Sequence, residues 1–227
     1  MGILMYQETP LGFELHISNT LIFFGKKGCN LADLRKNYPD TEFRTVHQTH
    51  SDVTILSQTT SENIQADAHY TQEFNVGLVI KTADCIPILI QSPKKNLILA
   101  VHAGWRGVEN KITLKALKQS SLTDLDSISV YMGPHILQKN FEVGTDVKDR
   151  LLNSVCGETR DVAYAQGEKF YVDLQKIVQS QVQSVAKSAQ IHFTNLNTYQ
   201  NIQFNSHRTD QTPLRNLSFI VQKVAAV

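Results

Sequence analysis

Most features that would place this chain in a specialised class are missing from it. Three cysteines, Cys29, Cys85 and Cys156, are an odd number at wide spacing, which excludes a disulfide framework and points to a reducing, cytoplasmic setting. No apolar run approaches the roughly 18 residues that a membrane span needs. Met1 to Phe13 has neither a charged n-region nor a continuous apolar stretch, so no signal peptide is expected. Met1-Gly2 opens like a myristoylation site, but Tyr6 stands where Ser or Thr is required. An excess of one charge is also missing. The 22 Lys and Arg against 21 Asp and Glu leave a net charge of +1, which argues against nucleic acid as the main partner. There is no repeat, linker or low-complexity tract; the polar stretch 57–65 comes nearest. What is present is ordinary globular composition, 41% hydrophobic and 19% charged over 227 residues, enough for a sizeable core. The chain 1–227 is read as one domain.

The middle of the chain is rich in short β-branched and apolar runs. Segments 52–56, 77–81, 86–90, 97–102 and 127–132 read as strands, and 218–224 suits another. Two of the runs are almost continuously apolar, so both of their faces are expected to be covered. Helices are fewer. Val108, Ile112 and Ala116 mark a helix over 107–119, and 147–155 is a weaker case. Leu174, Ile177, Val178, Val182 and Val185 form a stripe over 173–187, with Asp173 as N-cap. Strands and helices in irregular order predict an α+β fold.

Three chemically distinctive residues sit at the edges of these strands. His50 closes Val46–His50, Cys85 interrupts two apolar runs, and His102 ends the strand 97–101. Their spacing is not that of a zinc finger, so spacing alone proves nothing about a metal. A cysteine among strand residues is usually a small buried hydrophobe, and a lone histidine is usually a hydrogen-bonded structural residue. The context counts against those readings. Asp84 places a carboxylate beside the thiol, and a buried carboxylate costs several kcal/mol unless it is paired. A metal, Arg106 or the second ring N–H of a ligating histidine would each serve as its partner. His102-Ala103-Gly104-Trp105-Arg106-Gly107 then runs from a strand through glycines into a helix. Gly104 lets backbone approach a ligand, a helix N-terminus offers free N–H groups, Arg106 supplies a fork of donors, and Trp105 offers a flat surface for a base or sugar. A tight turn with Trp105 in the core is the plain alternative.

The same segment resembles the YfiH/laccase-domain family, formerly described as polyphenol oxidases and now as purine nucleoside phosphorylases. Gln48-Thr49-His50, Thr82-Ala83-Asp84-Cys85-Ile86-Pro87, Gly133-Pro134-His135-Ile136, Phe141-Glu142-Val143-Gly144, Val172-Asp173-Leu174 and Phe204-Asn205-Ser206-His207-Arg208 resemble further family segments in the same order, from about Phe23 to Ile220. The resemblance implies a single-domain mixed β-sandwich flanked by helices. It implies zinc held by His50, Cys85 and His102, with copper as an alternative occupant. It also implies phosphorolysis of adenosine, inosine and 5′-methylthioadenosine, with adenosine deamination as a further activity. The chain departs from the family at Ser51, where glycine is usual, at Asn197-Thr198, at Asn205 and at Arg208-Thr209.

Two histidines and one thiolate leave a fourth tetrahedral position open, the pattern of a catalytic zinc site. Asp84 is a candidate to shuttle protons. Arg106, Arg44 and Arg208 are candidates to hold phosphate, and His135 follows a Gly-Pro turn that brings it within reach of the site. Arg44 and Arg208 are equally readable as ion pairs. His47, three residues before His50 on a presumed strand, is expected to face away. The same ligand set suits blue copper, but none of the eight histidines forms the His-x-His pair of a multicopper oxidase. Two other readings remain open: a metal-free cysteine hydrolase or amidase, of the kind a relative applies to a peptidoglycan precursor, and a non-catalytic binding module. The expected partners are a nucleoside and phosphate, with no membrane, and the chain is expected to be a monomer or weak homodimer.

Overall fold

The computed structural model describes residues 5–59 and 61–224. Its strands are β1 (Gln7–Glu8), β2 (Gly12–Ile17), β3 (Thr20–Gly25), β4 (Glu42–Arg44), β5 (Thr54–Leu56), β6 (Ala68–Thr71), β7 (Val76–Thr82), β8 (Ile86–Ser92), β9 (Leu97–Ala103), β10 (Ser129–Met132), β11 (Glu142–Val143), β12 (Ala163–Gln166), β13 (Lys169–Val172), β14 (Gln190–Phe193) and β15 (Asn216–Gln222). The helices are α1 (Leu31–Asn37), α2 (Trp105–Glu109), α3 (Ile112–Gln119), α4 (Thr145–Leu152), α5 (Leu174–Gln183) and α6 (His207–Asp210).

Two six-stranded mixed sheets, ordered β1-β2-β3-β15-β7-β4 and β14-β10-β8-β9-β6-β5, form the sandwich, and β11-β13-β12 make a small third sheet. Phe13, Ile22, Phe24, Leu78, Ile80 and Ile220 of the first sheet meet Leu89, Ile98, Ala100 and Tyr131 of the second. The second sheet's other face, with Ile86, Ile88, Leu99, Val101 and Val130, packs on Val108, Ile112, Ala116, Ile177 and Val178 of α2, α3 and α5. The first sheet's other face, with Phe23, Val79, Leu217 and Phe219, is closed by Leu34 of α1. Strands β7, β8 and β9 are therefore covered on both sides, and that is why they read as continuous apolar runs rather than alternating ones. The expected α+β sandwich flanked by helices is the observed fold. Among the described residues no helix is long and apolar enough to cross a membrane.

Two expectations about the helices need correction or refinement. The helix read over 107–119 is two helices, because Lys111 adopts a left-handed backbone (φ 58°) between them. The break lets α2 reach α4 as well as α5, while α3 lies on α5, β5, β6 and β9. The apolar spacing of Val108, Ile112 and Ala116 carries no trace of it, because all three are buried on either side of the kink. The stripe over 173–187 ends earlier, at Gln183, and begins as expected, with the Asp173 carboxylate accepting from the Lys176 N–H.

Candidate metal centre and its cavity

The turn between β7 and β8, the end of β9 and the loop between β4 and β5 meet at one end of the sandwich, and each delivers one distinctive side chain. His50, Cys85 and His102 offer ligand atoms that all lie within 4.8 Å of one another. Cys85 Sγ is 3.8 Å from His50 Nε2. Zinc bonds of 2.0–2.3 Å place tetrahedral ligands about 3.3–3.8 Å apart. His50 does not end a strand. It stands in the loop with a left-handed backbone, φ 61°. His47 does not face away either, since the loop turns it onto the same cavity.

A residue that the sequence reading missed organises the cluster. Asp67, fully buried just before β6, accepts from the backbone N–H groups of Thr49 (3.1 Å), His50 (3.1 Å) and Ser51 (2.6 Å) and from the Ser51 hydroxyl (2.6 Å). It also accepts from His102 Nδ1 at 2.6 Å, and its own carbonyl accepts from the His102 N–H. One carboxylate thus fixes the left-handed loop that carries the first histidine and the ring of the second. With Nδ1 occupied as a donor, Nε2 of His102 is the nitrogen left to ligate. Ser51, where the family usually has glycine, adds a bond to this hub.

The local charges agree with that geometry. Burial pushes the Cys85 thiol up, but the positive His102 ring and hydrogen bonds from both histidines outweigh it and hold the thiol at about 6. Burial pushes His102 down, but the Cys85 thiolate and the Asp67 hydrogen bond raise it to about 9. Burial raises Asp67, yet its bonds to His102 and Ser51 bring it to about 2. The donor set therefore includes a thiolate and an imidazole anchored through Nδ1, whose Nε2 gives up its proton when a metal takes its place. The backbone fits it closely: a Cβ on Gly104 would lie 2.8 Å from His50 Cδ2 and 3.0 Å from Cys85 Sγ. Only glycine lets the backbone after β9 press against these two donors.

The cluster opens into a cavity of about 630 Å³, within the range of ligand pockets. Trp105, Ile136, Phe141 and Leu174 give it apolar walls, and Lys81, Arg106, Arg208 and Arg215 line it with positive charge. The Arg106 guanidinium lies 4.5 Å from the Trp105 ring centroid, and that of Arg208 lies 5.8 Å from Phe141. Arg150 also sits over Trp105, at 5.2 Å, so this indole is engaged by two cations rather than left as a bare platform. Lys81, Arg215, His207, Phe141 and Leu174 are not among the site residues that the sequence points to. They come from strand ends and loops that only the tertiary fold brings together.

Two of the proposed anion holders are not at the cavity. Arg44 is buried at 6% exposure and holds Glu73 with two bonds (2.8 and 2.9 Å), Glu42 and the Ser57 carbonyl; those carboxylates raise its pKa further. Its donors are closed off, so it is a structural ion pair. His135 is buried, with Nδ1 donating to the Gly133 carbonyl at 2.8 Å, and it does not line the cavity. The helix N-terminus is also weaker than expected, because α2 has only five residues and its macrodipole is correspondingly short.

Asp84 has its partners, but not those anticipated. It is held in a left-handed backbone, φ 79°. Oδ1 accepts from the Thr198 hydroxyl and Oδ2 from the Arg208 N–H, both at 2.6 Å, while its carbonyl accepts from the Ile136 N–H. It pins three loops of the cavity wall together, a placement better suited to positioning Arg208 than to carrying protons. The two asparagine departures are structural too. Asn197 Oδ1 accepts from the Leu137 and Tyr199 N–H groups, and Asn205 pairs with Asn216 in the interior.

Comparison with known proteins places this architecture. The family model described as multi-copper polyphenol oxidoreductase laccase matches residues 29–223. A Clostridium acetobutylicum protein named purine nucleoside phosphorylase is 30% identical over 158 residues, 68% of this chain and 65% of the relative. The Escherichia coli K12 protein named purine nucleoside phosphorylase YfiH is 29% identical over 157 residues, 69% of this chain and 63% of the relative. The matched stretches thus span just under two thirds of either relative's length. The crystal structure of YlmD from Geobacillus stearothermophilus superposes with a TM-score of 0.85 at 20% identity, covering 98% of this chain and all of that one, a likeness of fold.

Proposed function

The chain belongs to the multi-copper polyphenol oxidoreductase laccase family, and from that membership together with the cavity we propose that it is a zinc-dependent purine nucleoside phosphorylase rather than a phenol oxidase. The observation that carries the reading is the combination at one cavity: three metal-type donors at the floor, apolar walls, and four cations facing one carboxylate whose oxygens are both already bonded. Relatives of about 30% identity named purine nucleoside phosphorylases support it. Neutral phenols and oxygen bring no anionic charge to match four cations.

His50, Cys85 and His102 would hold the metal, and Asp67 would set their orientation. Zinc bound there would supply a Lewis acid and lower the pKa of a coordinated water toward about 7. The protein's own contribution is placement and charge. Phosphorolysis breaks the C1′–N bond of the nucleoside and forms a C1′–O bond to phosphate, so a dianion must be held against C1′ while positive charge develops there. Arg106 on Trp105 and Arg208 on Phe141 are the pre-positioned donors for that anion. Ile136, Phe141 and Leu174 exclude water from the sugar and base. Adenosine deamination, hydrolysis at C6 with release of ammonia, is assigned to the same cavity.

Zinc-loaded protein is tested with adenosine, inosine and 5′-methylthioadenosine, with and without phosphate. Free base and ribose 1-phosphate (5-methylthioribose 1-phosphate from 5′-methylthioadenosine) should appear only with phosphate, while inosine and ammonia form from adenosine without it. Neither base nor ammonia at stoichiometric zinc would overturn the reading.

One observation favours a second reading. Cys85, His102 and Asp67 stand in a row, thiolate to imidazole to carboxylate, as in a cysteine hydrolase. Hydrolysis of an amide by metal-free protein, abolished by thiol alkylation, would select it.

A further inference from the structure

Lys81 and Arg215 also face the cavity, and phosphorolysis as derived above leaves them unused. Lys81 is on β7, and Arg215 directly precedes β15, its antiparallel neighbour. Lys81 opposes Leu217 and Thr82 opposes Asn216, so Arg215, just before β15, stands diagonal to Lys81 on the same face. Diagonal cross-strand neighbours are about 7–8 Å apart, and like charges at such positions repel.

Both residues are held there. The backbone N–H and carbonyl of Lys81 are clamped by the Gln48 side chain at 2.8 Å each. Arg215 Nη1 donates to the Thr212 and Leu214 carbonyls at 2.8 Å. Among the described residues neither makes an ion pair, and the same is true of Arg106 and Arg208. A chain of net charge +1 thus gathers four cations on one cavity against the single carboxylate of Asp84. A single phosphate, at about −1.5 to −2, matches only two of them. Lys81 lies on the first sheet and Arg215 borders it, whereas α2 and α6 carry Arg106 and Arg208.

We propose that Lys81 and Arg215 form a second anion subsite, built for the phosphate of a phosphorylated nucleoside such as a nucleoside 5′-monophosphate. The inference rests on the reading of the cavity as a purine nucleoside site and adds the class of substrate. The substrate's own phosphate lies on Lys81 and Arg215, and the attacking phosphate lies on Arg106 and Arg208.

Equilibrium dialysis of the full chain with labelled adenosine, adenosine 5′-monophosphate and inorganic phosphate tests it without requiring turnover. At low salt the monophosphate should bind about tenfold or more tightly than adenosine, the scale of charge-assisted hydrogen bonds. That ratio should collapse toward one in Lys81→Gln/Arg215→Gln and persist in Lys94→Gln/Lys95→Gln, which removes two cations elsewhere. Circular dichroism checks that both variants fold. Equal affinity for the two ligands overturns the proposal, as does an advantage that survives the Lys81/Arg215 change. If equimolar inorganic phosphate erases the advantage, the subsite takes free phosphate and the nucleotide assignment falls. Should adenosine bind and yield free base while the monophosphate shows no advantage, this inference alone fails. Should neither ligand bind, it falls together with the phosphorylase reading.

Discussion

Arg44 and Arg106 are the same residue type in opposite circumstances. Arg44 is buried, and its guanidinium is saturated by Glu73, Glu42 and a backbone carbonyl. Arg106 is exposed, lies on an indole and faces a cavity that offers it no carboxylate partner among the described residues. The first arrangement is closed: every donor has an acceptor inside the protein, and nothing remains for a ligand. The second is open, with aromatic packing fixing direction while the hydrogen-bonding capacity stays free. The same contrast separates two carboxylates at the metal centre. Asp67 is closed around the histidine loop, and Asp84 is closed around the cavity wall. A polar side chain with unfilled valences at a cavity is the better guide to function than a polar side chain with an interesting neighbour.

The largest effect expected from breaking this division is at Asp67. Asp67→Ala strands three backbone N–H groups, the Ser51 hydroxyl and the His102 ring. Loss of a buried charged partner costs about 3–5 kcal/mol. Urea unfolding should show that loss, and metal analysis should show zinc stoichiometry falling with it. A variant that keeps full zinc occupancy would mean that the three donors hold their places without the hub. Next comes the arginine pair. Arg106→Ala should lower phosphorolysis about 100-fold, the scale of one lost transition-state donor. Its stability should change by under about 0.5 kcal/mol, as for an exposed residue, and much of the deamination should remain. Arg44→Ala should do the reverse, costing about 1–2 kcal/mol of stability through its lost bonds and leaving kcat/KM near its original value. Equal loss of both activities in Arg106→Ala would remove its assignment to phosphate.

The sequence showed the three donors and not the residue that arranges them, and the reason is physical. Cys85 and His102 are polar residues set against apolar runs, so they disturb a pattern that can be read locally; His50 lies among polar residues and joins them through the family resemblance. Asp67 lies in Gln65-Ala66-Asp67-Ala68-His69, where nothing marks it as buried, and its partners are 16 to 35 residues away. A signal did exist: a ligating histidine needs an acceptor for its second ring nitrogen. The sequence offers that N–H only as one of three partners for Asp84, the acid beside Cys85 in the chain, and sequence proximity is a poor guide to the acceptor that the fold supplies. Lys81 and Arg215 escaped for the same reason, being neighbours only through the pairing of β7 with β15. Strands β7 to β9 were legible because burial on both faces writes itself as a continuous apolar run. The break between α2 and α3 was not, since Lys111 is an ordinary helix former placed in a left-handed turn.

A last effect, seen only on acidification, sharpens the closed side of the comparison. His69 is fully buried on β6, with Nδ1 against the Ser57 hydroxyl at 3.3 Å, and the carbonyl of Ser57 accepts from Arg44. Burial lowers its pKa to about 3; Arg44 assists and the Val79 backbone opposes. Glu42 and Glu73 are turned toward Arg44 and leave the imidazole without a counter-charge of its own. The ring is therefore neutral in the fold, while the unfolded chain takes up a proton below about 6.5. Its contribution is intact above that value and shrinks as pH falls through the window from 6.5 toward 3, because the unfolded state binds the proton first. By pH 5 this one group should cost about 2 kcal/mol. Urea midpoints at pH 7.5 and pH 5 measure it against His69→Gln, which starts less stable but should lose less on acidification. Buried His135 shifts in the same direction and remains in both proteins, so it drops out of the difference. Identical acid sensitivity in the two would show that the Arg44 cluster opens to water in the native state and is not the sealed counterpart of the cavity.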